Sequence, residues 1–325
     1  MRHRVVVTGG CGFIGRYVVR ALVERGHRVT VIDNLSAVTS EPDIPRDADF
    51  VNLDLCDLHS TAKIFSGHDS CIALAAKSSG VGYFNQHPAE MLDANLRILS
   101  STFQAAKSSH LGRIVYASSS CVFDSGARSV VREELLDSMP PPPAGYPFSK
   151  LVGEYYCKAF SRQYELPYTI IRPFNTYGIG EMPGAISGVS HVIPDLTCKI
   201  LDGQYPLEIF GNGEQTRSFT HVQDVADGIV RALESEEAKN QDFNLGHQSE
   251  VSILELARTL WKLCDRPEPF LPTFDLTAES GVRRRATENA KARRLIGWEP
   301  KISLRQGLAE VVSWLKESKL QGVIA

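Results

Sequence analysis

Three side chains in the middle of the chain have the types and spacing for proton transfer at an alcohol. Tyr146 and Lys150 stand four residues apart at the start of a helical pattern, so they share one face. A phenol, with a pKa of about 10, is a poor base at neutral pH. A neighbouring ammonium favours phenolate and moves the group toward working range. Ser119 and Ser120 leave the carboxyl end of a predicted strand, where one hydroxyl could bind the same substrate oxygen. Tyr-x-x-x-Lys also occurs by chance on many helices, so the pair needs support from the elements around it.

That support begins at Arg4-Val5-Val6-Val7-Thr8-Gly9-Gly10-Cys11-Gly12-Phe13-Ile14-Gly15. A β-branched run ends in glycines, and an apolar-periodic segment, Phe13 to Leu22, follows at once: strand, tight turn, helix. Glycine is needed where the turn takes positive φ, where backbone approaches a pyrophosphate, and where helix packs on strand. The first-turn amides of the helix then face the phosphates. A second strand, Arg28 to Ile32, ends in Asp33, eighteen residues after Gly15. A carboxylate there accepts both ribose hydroxyls of an adenosine and repels a 2′-phosphate, which selects NAD over NADP. A nicotinium charge beside Tyr146 would also favour phenolate.

The chain has 325 residues, 43% of them hydrophobic, enough for one large domain or two unequal lobes. A net charge of −3 leaves no basic footprint for nucleic acid. No apolar run reaches membrane-spanning length, and the first residues enter a strand with no signal-peptide pattern. Seven cysteines without paired spacing read as reduced thiols in a cytoplasmic protein, and no cluster has zinc spacing.

After Asp33 the pattern predicts a polar loop over Ser36 to Asp49 and a strand from Phe50 to Leu53. Asp54-Leu55 closes that strand and could hold an adenine edge and face. Helix follows from Leu58 to Phe65, then a buried strand, Ser70 to Leu74, running into Ala75-Ala76. Small residues there let a ligand lie against the backbone. A long helix over Pro88 to Ser108, a strand over Arg113 to Ala117, a helix over Lys150 to Tyr164 and a strand over Tyr168 to Ile171 complete the series. This order predicts an α/β fold with a doubly wound, mostly parallel Rossmann sheet. From Thr176 the texture turns Gly- and Pro-rich. The expected division is a cofactor domain of residues 1–174 and 217–243, and a smaller discontinuous substrate lobe of 175–216 and 244–325. Amphipathic helices are expected near Ile253–Cys264 and Leu304–Lys316.

Taken in order, Thr8 to Gly15, Asp33, Asp54, Ala75-Ala76, Asn95, Ser119, Tyr146/Lys150, Arg172-Pro173-Phe174-Asn175 and Gln215 to Thr220 resemble the extended short-chain dehydrogenase/reductase superfamily. The resemblance is specifically to its nucleotide-sugar epimerases and dehydratases, and it covers nearly the whole chain. It implies a tightly held NAD that accepts hydride from a sugar carbon while Tyr146 removes the hydroxyl proton, Lys150 binds the nicotinamide ribose, and Ser119 holds the reacting hydroxyl. It places the cofactor on Gly9, Gly12, Phe13, Ile14 and Gly15, on Asp33, Asn34, Asp54 and Leu55, and on Leu74, Ala75, Ala76 and Lys77. Asn95 and Pro173 complete that set. Asn175, Val192, Arg217 and one of Arg283 or Arg284, Arg283 being preferred, would meet the nucleotide-sugar. The helices after Pro88 and Lys150 would pair with a second subunit, making a homodimer.

Sugar 4,6-dehydratases carry an Asp-Glu pair just after the catalytic hydroxyl, where this chain has Ser120 and Cys121. Decarboxylases usually have Glu at the position of Cys121. The run Ala117 to Phe123 looks instead like that of GDP-mannose 3,5-epimerases, in which a cysteine works with a basic residue across the ring. Rough alignment puts that second residue at His191. Thiol and imidazole on opposite ring faces could invert carbon 3 or 5 beside a 4-keto group. The alternatives are 4-epimerisation, which needs only Ser119, Tyr146, Lys150 and NAD, and, further off, a dehydratase, a reductase or a non-catalytic NAD sensor. The chain departs from the family pattern at Ala73, where histidine is common, at Phe123-Asp124 in place of Tyr-Gly, and at His191 in place of lysine.

Overall fold

Val5, Val6 and Val7 in the strand β1 (Arg4–Thr8) are all fully buried, although successive strand side chains point to opposite faces. Such a strand must be covered on both sides, the condition of a parallel sheet wrapped by helices. The computed structural model describes residues 2–37, 42–77, 87–125, 130–183, 191–277 and 282–322. Parts of the polar loop after Asp33 and of the Gly- and Pro-rich stretch after Thr176 lie outside the described residues.

The elements continue with α1 (Phe13–Glu24), β2 (Arg28–Asp33), β3 (Ala48–Asn52), α2 (Leu58–Phe65), β4 (Ser70–Ala73), α3 (Pro88–Ser108), β5 (Arg113–Ala117), α4 (Gly145–Tyr164) and β6 (Tyr168–Pro173). Beyond them lie β7 (Thr176–Tyr177), α5 (Val192–Leu201), β8 (Leu207–Phe210), β9 (Thr216–Arg217), β10 (Thr220–His221), α6 (Val222–Glu234) and β11 (Gln241–Leu245). The last are β12 (Val251–Ser252), α7 (Ile253–Leu263), β13 (Pro272–Asp275), β14 (Arg284–Arg285), α8 (Ala290–Ile296) and α9 (Leu304–Leu320).

Among the described residues, seven strands form one sheet in the order β11-β6-β5-β4-β1-β2-β3, with every neighbouring pair parallel. This is the doubly wound Rossmann arrangement that the sequence predicts. On one face Val5, Val7, Val29 and Val31 pack with Val18, Leu22, Ile229 and Trp298 from α1, α6 and the end of α8. On the other, Val6, Ile32, Cys71 and Tyr116 pack with Phe65, Phe103 and Phe160 from α2, α3 and α4. The order in which successive strands join the sheet reverses between β1 and β4, so their carboxyl ends frame the crevice where ligands of such sheets bind. A separate apolar cluster joins α5, β8, α7 and α9 through Leu196, Ile209, Trp261 and Leu308. No helix among the described residues is long and apolar enough to cross a membrane.

Several boundaries differ from the sequence reading by a few residues: β3 begins two residues earlier than expected, at Ala48, and α9 runs on to Leu320. Two of the differences bear on the site. The helix expected from Lys150 starts at Gly145, so Pro147 sits in its first turn. A proline there sacrifices no helical hydrogen bond, because first-turn amides have no partner within the helix. The strand expected over Tyr168 to Ile171 extends to Pro173 because β11 pairs with it in register, Leu245 opposite Pro173. The polar residues Gln241, Asp242 and Asn244 hide β11 from a reading based on hydrophobic runs.

Candidate active site

The glycine turn is built by close approach. Gly9 has φ of +70°, and a Cβ there would lie 2.8 Å from the Cα and N of Ala75, so the turn rests on the segment leaving β4. Gly15 is tighter still: its Cβ would meet the Gly9 carbonyl oxygen at 2.2 Å. The sequence reading assigned a glycine to helix-on-strand contact. Gly15 instead packs helix on turn, and it is at Gly10 that an added Cβ would meet the strand, 2.7 Å from the Val31 side chain. Gly12 caps α1 with φ of −70° and no side-chain cap, leaving Phe13 and Ile14 in a first turn that no side chain of Gly12 closes. A glycine cradle against an uncapped helix N-terminus fits a dinucleotide pyrophosphate.

At the end of β2, Asp33 accepts from the amides of Cys11 (3.0 Å) and Leu35 (2.8 Å), tying the strand to the glycine turn. A carboxylate has about four acceptor sites, so these two bonds leave capacity for ribose hydroxyls. Asn34 accepts from the Ser36 amide at 3.1 Å. Asp54 accepts from the Cys56 amide at 2.9 Å, and Leu55 is buried beside it. Across the crevice, the Leu74 amide donates to the Thr8 carbonyl at 3.1 Å. Asn95 brackets Lys77, accepting from its amide (2.8 Å) and donating to its carbonyl (3.1 Å), and it also donates to Ser149 (3.2 Å). Asn95 is thus a staple between the Leu74–Lys77 segment and α4. Pro173 ends β6 on the same edge.

Tyr146 and Lys150 lie in the first two turns of α4. The Lys150 ammonium donates to the Ala117 carbonyl at 2.8 Å and lies 5.8 Å from the centre of the Tyr146 ring. Burial pulls this ammonium down from 10.5 to about 8, against an opposing pull from Cys121. Ser119 follows β5, accepts from the Cys121 amide at 3.2 Å, and hydrogen-bonds the Tyr146 phenol. The phenol differs from the sequence expectation. Burial raises it well above the ordinary value, Cys121 raises it further, and only the Ser119 bond lowers it. Removing water from a prospective anion outweighs the lowering that the Ser119 bond supplies.

Cys121 sits half-buried on the short helical turn Ser120–Phe123 after Ser119, near enough for a negative charge there to act on Tyr146, Lys150, Arg217 and Arg285. The sequence alone gives Arg285 no role. Pairing of β14 with β9 sets Arg285 opposite Arg217. Arg285 then grips both oxygens of Asp124 at 2.6 and 2.8 Å. Burial lowers the buried Arg217 guanidinium to about 10, and the Arg285 charge adds to that. Arg283 instead points outward with its side chain 89% exposed, and Arg284 is held by Glu250. Pairing of β14 with β9 distinguishes the three consecutive arginines.

Asn175 has φ of +38° and donates to the Ser218 carbonyl at 2.9 Å and the Arg285 carbonyl at 3.5 Å, holding β9 and β14 beside its own turn. His191 stands at the N-cap of α5, followed by the half-buried Val192. Its Nδ1 pairs with the buried carboxylate of Glu181. Although the His191 side chain is 67% exposed, the Glu181 carboxylate raises the imidazole above its ordinary value; the Arg285 charge acts in the opposite sense.

The model of the NAD dependent epimerase/dehydratase family matches residues 5–246. A putative UDP-glucose 4-epimerase of Methanocaldococcus jannaschii is 32% identical over 315 residues, covering 97% of this chain and 99% of that protein. GDP-mannose 3,5-epimerase 1 of Oryza sativa subsp. japonica is 28% identical over 329 residues, covering 98% of this chain and 84% of that protein. Among solved structures, UDP-glucose 4-epimerase from Thermotoga maritima with UDP-glucose superposes with a TM-score of 0.87 at 28% identity, over 97% of this chain and 99% of that one.

Proposed function

The chain belongs to the NAD dependent epimerase/dehydratase family, and from that premise we propose a nucleotide-sugar epimerase in which Cys121 and His191 invert carbon 3 or 5 of a sugar oxidised transiently at carbon 4. The observation that carries this reading is the position of Cys121, beside Ser119 and within the electrostatic reach of Tyr146, Lys150, Arg217 and Arg285. A thiol stands where water elimination would call for a carboxyl acid.

The cofactor is NAD. The turn from Gly9 to Gly15 and the amides of Phe13 and Ile14 would hold its pyrophosphate, Asp33 and Asn34 its adenosine ribose, and Leu74 to Lys77 its inner face. When bound, NAD supplies an acceptor for hydride from the sugar and returns it at the end of the cycle. Ser119 holds the reacting hydroxyl and Tyr146 removes its proton. Lys150 binds beside the phenol. Arg217 and Arg285 offer guanidinium forks for the diphosphate.

With carbon 4 a ketone, the C–H bonds at carbons 3 and 5 become acidic. The Cys121 thiolate takes the proton, leaving the electron pair in an enolate. Protonated His191 delivers a proton to the same carbon from the opposite face, and water restores both side chains. The second reading is 4-epimerisation through rotation of the keto-sugar, favoured by the Methanocaldococcus jannaschii relative. Exposed Tyr155, Tyr164 and Phe148 on α4 (66%, 41% and 37%) support a homodimer through α3 and α4, to be checked by mass in solution.

The test is incubation of UDP-, GDP-, dTDP- and CDP-sugars in heavy water. Deuterium at ring carbon 3 or 5, lost in C121S, is the expected result. Inversion at carbon 4 without exchange selects the second reading, and loss of water would point to a dehydratase.

A further inference from the structure

The sequence alone gives Glu181 no role, yet its buried carboxylate meets Nδ1 of His191. Its position is fixed from the cofactor side of the molecule. Arg16 and Tyr17, one turn into α1, both donate to the Ile179 carbonyl, at 3.2 and 3.0 Å. Gly180, with φ of +83°, lies flat on Arg16, so close that a Cβ would overlap the guanidinium at 1.6 Å. The Glu181 amide then donates to the Gly178 carbonyl at 3.3 Å, which turns its side chain toward His191. A line of direct contacts therefore runs from the helix whose N-terminus forms the cofactor cradle to the imidazole.

From this geometry we propose that Glu181 is the positioning residue of the proton donor: it anchors His191 relative to the cofactor helix and keeps the imidazole cationic in the site. The role rests on the epimerase reading above. It separates the two ring faces by charge. Cys121 must give up its proton to act as a base, while His191 must hold one to act as an acid. Among the described residues, Arg285 is the other charged group that acts on His191, and its positive charge opposes the imidazolium; one turn along, the Asp195 amide donates to the His191 carbonyl at 3.2 Å while its carboxylate pairs with Lys199. Among the described residues, Glu181 supplies the carboxylate in contact with the ring. A carboxylate paired with an imidazolium favours the charged form, so its loss should be read directly as easier deprotonation.

The experiment is NMR titration of histidine-labelled protein, with H191Q to assign the signal, in wild type, E181Q and E181D. The expected result is a His191 midpoint lower by about one pH unit in E181Q and substantially restored in E181D. An unchanged midpoint in folded E181Q overturns the proposal. Should E181Q fail to fold, the wild-type His191 midpoint is compared at low and high salt with that of free histidine: a midpoint above free histidine supports the pairing, and one equal to free histidine at low salt overturns it. In heavy water, E181Q should lose at least tenfold in deuterium uptake at the ring while the 340 nm absorbance change on sugar addition persists. Equal loss of both signals would mean a purely structural role and overturn the proposal. Absence of ring exchange in wild type defeats the epimerase reading and with it the donor role, whereas the titration reports on the Glu181–His191 pairing independently.

Discussion

Arg172 holds Glu154 through two parallel hydrogen bonds, Nε to Oε1 at 2.8 Å and Nη2 to Oε2 at 2.6 Å, with the two side chains only 1% and 2% exposed. Glu154 lies one turn beyond Lys150 on α4, and Arg172 lies on β6. Ser118, next to Ser119, donates to the same carboxylate at 2.5 Å. The pair therefore clamps the helix carrying Tyr146 and Lys150 to the strand ends that carry Ser119. In E154A, a buried guanidinium would keep only Asp242, at 2.9 Å, as its charged partner. Breaking a buried pair from one side costs about 3–5 kcal/mol. Urea unfolding should show a loss near 3 kcal/mol, since Asp242 remains. A loss below about 1 kcal/mol would mean that the clamp contributes little.

Y146F removes the phenol oxygen bonded to Ser119 and leaves the ring that lies beside Lys150. Turnover should fall by about 10²–10⁴-fold, the usual contribution of a positioned acid–base group. Bound NAD and thermal unfolding should stay close to wild type. Undiminished turnover would remove Tyr146 from the mechanism.

Lys150 gives a pH prediction with a definite sign. Its ammonium titrates near 8 in the folded chain against 10.5 ordinarily. Between those values the unfolded chain holds more protons, so the contribution of this group to stability rises with pH across that window. Below pH 8 the buried charge is unfavourable throughout. In cofactor-free protein, K150M should gain about 1–3 kcal/mol over wild type at pH 7, less whatever the lost bond to the Ala117 carbonyl contributed. That gap should narrow as pH approaches 10.5. A gap independent of pH from 7 to 10.5 would contradict the shift.

The glycines should separate by what surrounds them. A Cβ at Gly15 meets rigid backbone at 2.2 and 2.7 Å, whereas at Gly12 the nearest atom is the Gly9 carbonyl oxygen at 3.2 Å. G15A should lose about 2 kcal/mol or more of stability through overpacking. G12A should fold with a near-normal melting temperature and retain less NAD, because its methyl projects into the cradle. Cofactor released on denaturation and calorimetry check both halves. Equal effects in the two variants would show that the cradle does not discriminate.

The arginines provide a matched control. Truncating Arg285, paired with Asp124 and opposite Arg217, should raise KM for the nucleotide-sugar by about 10–100-fold, the range expected for a lost charge-assisted bond. R283A should change it less than about twofold, as expected of an exposed charge. The reverse order would return the diphosphate to Arg283.

Features that depend on neighbours in the chain were legible in the sequence. A β-branched run stopped by Gly9, Gly12 and Gly15 specifies strand, turn and helix through backbone conformation alone, and Asp33 closes the next strand at the distance a dinucleotide requires. Tyr146 and Lys150 share a face because helical spacing puts them there, and alternating β and α segments leave little choice but a doubly wound parallel sheet. Tertiary structure decided what depends on distant segments. Three arginines in succession look alike until β14 pairs with β9 and sends only Arg285 toward Cys121. Glu181 gains meaning only when the contact of Gly180 with Arg16 brings it to His191. The direction of the Tyr146 shift was likewise hidden, because an ammonium four residues away can be read from spacing, whereas loss of water around a phenol is a property of the packed interior.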